Sequence, residues 1–139
     1  MTDVNDHNRK IIDEYRASSG KLGGYFEGKP VLLLHTTGAR TGKGRVNPTM
    51  YLVDGDRLAV FATKSGAPTN PGWYHNVLAN PEVTAEVGAE TRHFHAHVAT
   101  GDERDRIWTR QKLEQPGFAD YETQTDRVIP VVILEPVNA

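Results

Sequence analysis

The stretch Val46-Asn47-Pro48-Thr49-Met50-Tyr51-Leu52-Val53-Asp54-Gly55-Asp56-Arg57-Leu58-Ala59-Val60-Phe61-Ala62-Thr63 decides the fold class. Valine, leucine and aromatic residues recur on both sides of its centre, and side chains of this kind suit a pleated, half-buried surface. Asp54-Gly55-Asp56 is a hairpin signal, because Gly and Asp tolerate the positive φ values of a tight turn. Residues 46–53 and 57–63 are therefore expected to be paired antiparallel strands. Toward the N-terminus, Val31-Leu32-Leu33-Leu34 is a short continuous apolar run suited to a buried strand. Gly38-Ala39-Arg40-Thr41-Gly42-Lys43-Gly44 follows as a turn, since three glycines in seven residues defeat a helix. Further upstream, Ile11, Ile12 and Tyr15 form a narrow apolar stripe in a helix expected over residues 5–16, ended by Gly20, Gly23 and Gly24.

Toward the C-terminus, residues 65–71 are expected to be loop. Trp73, Val77 and Leu78 then mark a short helix closed by Asn80-Pro81. Val83, Ala85 and Val87 alternate with polar residues, as do residues 92–98, so these two segments pair around Gly88-Ala89-Glu90. Residues 101–115 are expected to be a helix with Ile107, Trp108 and Leu113 on its apolar face, ended by Pro116-Gly117. Residues 128–134 form the last strand. About six strands joined mainly by hairpins, with two or three helices, predict an α+β chain built on an antiparallel sheet or closed barrel.

At 139 residues the chain is the size of one domain. Residues 1–24 read as an N-terminal arm or helix and 25–139 as the main domain. The 37% apolar and 24% charged shares are ordinary for a soluble protein. No apolar run approaches the ~20 residues of a bilayer span, and the first residues lack the hydrophobic centre of a signal peptide. Without cysteine, disulfides, thiolate metal sites and thiol nucleophiles are excluded. A cytoplasmic location is expected.

A net charge of −2 argues against general nucleic-acid binding. The distribution is uneven. Between Lys21 and Lys64 seven cations face three acids, net +4, which leaves −6 elsewhere. A basic patch on an acidic protein suits a small anionic ligand. Arg40, Lys43 and Arg45 sit on the glycine-rich turn, where backbone N–H groups and cations can hold a phosphate or carboxylate. It lacks the Walker spacing and precedes a strand, so it is not a P-loop. A solvated hairpin tip is the alternative. Thr63-Lys64-Ser65-Gly66-Ala67-Pro68, at a strand end, is a second candidate that can clamp a planar ring and its phosphate.

These two segments carry a resemblance. Leu34-His35-Thr36-Thr37-Gly38-Ala39-Arg40-Thr41-Gly42, with Arg45 and Pro48, is similar to the first signature of the deazaflavin-dependent nitroreductases. Ala62-Thr63-Lys64-Ser65-Gly66-Ala67-Pro68-Thr69-Asn70-Pro71-Gly72-Trp73-Tyr74-His75-Asn76 resembles the second. Leu78-Ala79-Asn80-Pro81-Glu82-Val83 and Asp126-Arg127-Val128-Ile129-Pro130-Val131 extend the likeness over nearly the whole chain after about Gly24. The resemblance implies a split β-barrel related to flavin-binding reductases, holding coenzyme F420 (8-hydroxy-5-deazaflavin) in its reduced form as hydride donor. Its ribityl phosphodiester and polyglutamate tail are anions. The implied cofactor residues are Arg40, Thr41, Lys43, Arg45, Val46, Asn47 and Pro48 from the first segment. From the second they are Ala62, Thr63, Lys64, Ser65, Gly66, Ala67, Pro68, Trp73 and Asn76.

Ala39 stands where close relatives often carry a second basic residue. Gln115, Phe118 and Tyr121 match positions that hold tyrosines in a nitroimidazole-activating relative. Phe118 and Tyr121 are thus the implied acceptor-binding residues, and Tyr121 is the catalytic candidate, orienting the acceptor or donating a proton. The expected reaction is hydride transfer to a quinone, nitro compound or activated enone. Rival readings are an FMN-dependent reductase or oxidase on the same barrel and a non-catalytic F420-binding protein. The oligomeric state stays open, a homodimer included.

His93, His95 and His97 alternate along one strand and can in principle ligate zinc or iron, with Glu86 or Glu90 brought near by the hairpin. An outward polar face is the simpler reading, and no metal is expected. His75 is expected to pack within its helix, and Trp73, Tyr74 and Trp108 to belong to the core, with Trp73 also near the ring loop. The cations Arg9, Lys10 and Arg16 are matched by Asp6, Asp13 and Glu14, so the N-terminal helix is not expected to bind a membrane surface, although a quinone acceptor would allow contact.

Overall fold

Val31-Leu32-Leu33-Leu34 and Val131-Val132-Ile133-Leu134 are continuously apolar because both faces of their strands are covered. The structure, a computed structural model, describes residues 6–64 and 69–137. Six strands close into one antiparallel barrel, β1 (Val31–Thr37), β2 (Gly44–Asp54), β3 (Arg57–Phe61), β4 (Glu82–Val87), β5 (Glu90–Val98) and β6 (Val131–Pro136), in the order β1-β2-β3-β6-β5-β4. Leu32, Leu34, Leu58, Val60, Ala85, Phe94, Ala96, Val132 and Leu134 form one core cluster, which Trp73 and Val77 of helix α2 (Gly72–Ala79) complete. The alternate residues Val31, Leu33, Met50, Leu52, Ala59, Phe61, Val131 and Ile133 form a second cluster. There they meet Ile12 and Tyr15 of α1 (Asp6–Ala17), Ile107 and Trp108 of α3 (Gly101–Glu114) and Phe118 of α4 (Gly117–Thr123). Strand periodicity thus divides the apolar residues between two cores.

Four helices are present among the described residues, where two or three were expected. Pro116-Gly117 ends α3 and at once begins α4, with Pro116 as its N-cap residue. Leu78 and Leu113, expected inward, are 54% and 77% exposed. The last strand begins at Val131 rather than Val128, which is exposed. Asn5, the expected first residue of α1, lies outside the described residues. No helix among the described residues is long and apolar enough to cross a membrane.

The barrel closes through three residue pairs between β1 and β4, Leu33↔Glu86, Leu34↔Ala85 and His35↔Thr84. Helix α1 clips this seam. The Tyr15 hydroxyl donates to the Glu86 carbonyl at 3.0 Å and accepts from the Gly88 amide at 2.8 Å. Arg16 grips the Glu86 carboxylate with two bonds of 3.0 and 2.7 Å, and His35 Nε2 lies 2.6 Å from it. Arg16 first, then His35, holds the Glu86 carboxyl below its usual range. The loop after α1 approaches closely at Gly20, whose φ is +102° and where a Cβ would sit 2.9 Å from the Gly88 Cα.

An ionic cluster binds α3 to the first hairpin. Asp54 accepts from Arg57 at 2.5 Å and from Arg106 at 3.0 and 3.2 Å. Arg106 and then Arg57 lower the Asp54 pKa from 3.8 to about 2. A depressed folded-state pKa contributes stability above the unfolded value near 3.8 and loses it as pH falls through about 2. Asp54→Asn should cost about 1–2 kcal/mol at pH 7 after allowance for screening at the partly exposed arginines. Urea unfolding from pH 7 to pH 2 should show the two proteins converging at the acid end. A constant gap would detach Asp54 from the acid response.

The histidine strand turns outward. His93 and His95 are exposed and His97 is half-buried, while Phe94 and Ala96 face the core. The neighbouring carboxylates are not the expected Glu86 and Glu90. His95 Nδ1 lies 2.6 Å from Glu82, and His97 lies 3.9 Å from Glu103 and 4.0 Å from Glu135. Among the described residues, no group of three or more such side chains is arranged to hold a metal.

Candidate active site

β2 is longer than either of its neighbours, and this opens the barrel wall. Gly44 to Met50 pairs with β1, whereas β3 pairs only with Tyr51 to Asp54. The last β2–β3 pair is Tyr51↔Val60. Beyond it the strands part, and a slot of about 200 Å³ lies between Pro48, Thr49 and Met50 on one side and Phe61, Thr63 and Lys64 on the other. Pro71 and Trp73 at the start of α2, Phe26 from a turn of 3₁₀ helix (Gly24–Phe26), and Phe118 and Tyr121 from α4 complete its wall. The lining is largely aromatic and apolar, with hydroxyls at Thr49, Thr63 and Tyr121 and one cation. That composition suits a planar conjugated ring bearing a few polar atoms.

α4 is held in place from behind. Trp108 Nε1 and Lys112 Nζ each donate to the Glu122 carboxylate at 2.8 Å, and Lys112 first, with Trp108, lowers the Glu122 pKa. Phe118 packs edge-on to Phe61 at 5.7 Å and to Tyr121 at 5.2 Å, so Phe118 and Tyr121 form one aromatic stack with the slot wall at Phe61.

A second cleft, of about 550 Å³, adjoins the slot through α2. Gly38, Ala39, Arg40 and Thr41 of the β1–β2 turn, with Arg45 at the start of β2, form one wall, and Gly72, His75 and Asn76 of α2 the other. Gly72 faces this cleft while its neighbours Pro71 and Trp73 face the slot. The turn is built for its shape. Gly38 N donates to the Lys43 carbonyl at 2.7 Å and Gly42 N to the Gly38 carbonyl at 2.9 Å. A Cβ at Gly38 would meet Thr41 Oγ1 at 2.7 Å and the Lys43 carbonyl oxygen at 3.2 Å, so a larger residue there would have to push the Thr41 side chain aside. Among the described residues, neither cleft is lined by a carboxylate. Arg40, Arg45 and Lys64 give the two clefts a positive field, which favours a ligand with a neutral ring and an anionic tail.

The expected site residues divide. Arg40, Thr41, Arg45 and Asn76 line the anion cleft, and Pro48, Thr63, Lys64, Trp73, Phe118 and Tyr121 line the slot. Lys43, Val46, Asn47 and Ala62 line neither. Lys43 contributes its backbone to the turn, Val46 packs toward the helix-covered core, Asn47 pairs with Leu34, and Ala62 is fully buried. Ser65, Gly66, Ala67 and Pro68 lie outside the described residues. Asn76 accepts from Ala39 N and donates to Thr36 Oγ1, both at 3.0 Å, so its amide ties the turn to α2. His75, expected to pack within the helix, is exposed and faces the anion cleft. Met50 and Phe61 escaped the sequence reading because strand pattern marks them as core, and Phe26 because it lies on a turn outside both signature segments.

A family model described as F420H(2)-dependent quinone reductase matches residues 7–136. The chain belongs to the F420H2-dependent quinone reductase family. An F420H(2)-dependent quinone reductase of Mycobacterium tuberculosis (strain H37Rv) is 39% identical over 124 residues, covering 86% of this chain and 83% of that protein. A solved F420-H2 dependent reductase (FDR-A) superposes with a TM-score of 0.70 at 40% identity, over 76% of this chain and 94% of that one. A second solved structure, described as a domain-swapped dimer, gives 0.73 at 35% identity over 94% of this chain and 98% of that one. The fold is the split barrel that this F420-dependent family uses, and its cofactor is coenzyme F420.

Proposed function

We infer that the protein is an F420H2-dependent quinone reductase whose deazaflavin ring occupies the β2–β3 slot and whose phosphodiester and tail lie in the cleft of Arg40 and Arg45. The observation that carries this placement is an aromatic slot that adjoins a cation-lined cleft. The donor set fits the group, with planar walls for the ring and guanidinium forks for its anions. When bound, the reduced coenzyme supplies a hydride from carbon, so the protein's task is orientation and electrostatics.

Each residue then has a defined part. Arg40 and Arg45 hold anionic oxygens by charge-assisted hydrogen bonds. Lys64 sets a positive charge at the ring end of the slot. Trp73, Met50 and Phe61 form its apolar walls and exclude water. Phe118 and Tyr121 cover the acceptor side and keep the reacting atoms close enough for direct transfer. A quinone that receives hydride needs one proton to become hydroquinone, which the Tyr121 hydroxyl or solvent supplies. The domain-swapped dimer among the structural neighbours supports a homodimer here, read by light scattering as twice the chain mass.

Titration with oxidised and reduced F420, FMN and FAD, followed by fluorescence and calorimetry, tests the assignment. Reduced F420 should bind more tightly than FMN, and menadione should be turned over with saturable kinetics. FMN binding at least as tightly would favour the flavin rival, and tight F420 binding without turnover would favour a sequestering protein.

A further inference from the structure

The β3–β6 ladder ends at Phe61↔Val131, and one more backbone bond extends it, Ala62 N to the Pro130 carbonyl at 3.0 Å. Past that point a side chain replaces the strand. Arg127 Nη1 donates to the Ala62 carbonyl at 3.0 Å, and Nη2 donates to the Thr63 carbonyl at 2.7 Å. Nη1 also donates to Asn70 Oδ1 at 2.6 Å. One planar fork therefore satisfies two successive carbonyls at the strand end and ties them to the chain that returns just before α2. A lysine ammonium lacks the fork needed for this arrangement.

The next residue gives the clamp its purpose. Lys64 has φ of +46°, a left-handed conformation that costs a non-glycine residue energy. Its side chain lines the slot and its ammonium donates to Thr69 Oγ1 at 3.3 Å. Strained backbone persists where its surroundings over-determine it. Arg127 itself is half-buried, and Arg104 steadies the neighbouring segment through a 2.8 Å bond to the Ile129 carbonyl.

We propose that Arg127 is a positioning residue of the cofactor slot, fixing the peptide units of Ala62 and Thr63 so that Lys64 keeps its left-handed turn and its ammonium stays at the ring. This rests on the reading that the slot holds the deazaflavin. Arg127 lines neither the slot nor the anion cleft, so it acts through Thr63 and Lys64.

Arg127→Lys and the milder Asn70→Ala test it with two readouts. In the protein without cofactor, ¹⁵N–¹H NOE values at Thr63, Lys64 and Thr69 should fall in Arg127→Lys while those of β1, β5 and β6 hold. Fluorescence titration should show reduced F420 bound about tenfold more weakly by Arg127→Lys and severalfold more weakly by Asn70→Ala, with the melting temperature lowered by only a few degrees. Unchanged NOE values at Lys64 and Thr69 would overturn the clamp whatever the titration gives. Loosened flanks with affinity within twofold of the unaltered protein would overturn the positioning role, as would NOE losses spread evenly through the barrel. Failure of the unaltered protein to bind F420 would instead reject the reading of the slot, and the NMR comparison would still judge the clamp.

Discussion

Replacing Arg40 and Arg45 together by alanine should weaken binding of reduced F420 at least a hundredfold. Hydrogen bonds to charged groups contribute about 1.5–3 kcal/mol each, so each single substitution should cost roughly tenfold or more. Both residues face one cleft, and some overlap between their effects is expected. Affinity in the unaltered protein should also fall with added salt, and the double variant should lose most of that dependence. Calorimetry at two salt concentrations, with thermal unfolding as a check on the fold, reads both effects. Binding retained within tenfold would move the anionic part of the coenzyme out of this cleft.

Phe118→Ala should have the second-largest effect, because this ring supports the core and, in the proposed function, covers the acceptor. It is 6% exposed and packs edge-on against Phe61 and Tyr121. Removing a buried phenyl ring costs about 3 kcal/mol, near the low end of its usual range where the site opens to a cleft. The variant should also raise the KM for menadione, since Tyr121 loses the ring it rests on. Tyr121→Phe should stay within about tenfold in quinone reduction, because solvent can supply the proton. Tyr121→Ala should lower kcat/KM further and leave F420 affinity nearly unchanged. Steady-state kinetics beside direct titration separate these outcomes. If Tyr121→Ala abolished F420 binding, Tyr121 would belong to the cofactor side of the slot.

Much of the fold is legible where local chemistry decides it. Asp54-Gly55-Asp56 and Gly88-Ala89 produce their hairpins because the turn demands residues that accept positive φ, seen at Gly55 and Gly88. The cations of the glycine-rich turn are legible for the same reason, and Arg40 and Arg45 do face one cleft. What escapes is set by partners far along the chain. Leu78 and Leu113 fit a helical stripe yet stand in solvent, because no element among the described residues covers those faces. Pro116-Gly117 stops one helix and starts another, and a stop signal does not reveal that a second helix begins on the same residues. The slot itself depends on β2 outreaching β3, a matter of register between strands that residue pattern alone does not reveal. Arg127 shows the same limit, since its carbonyl partners lie more than 60 positions away.

The seam between β1 and β4 has a consequence for handling the protein. A closed barrel offers no unpaired row of backbone groups, and such rows are the templates on which chains stack into aggregates. Closure here depends on three residue pairs and on the Tyr15 and Arg16 contacts that lie across them. Cutting the chain after Arg16 and discarding α1 removes those contacts and bares the apolar strip beneath Ile12 and Tyr15. The edges of β1 and β4 would then be held by their three pairs without that cover. An N-terminal truncation made to tidy the protein should leave the ring of strands easier to open and more prone to stack.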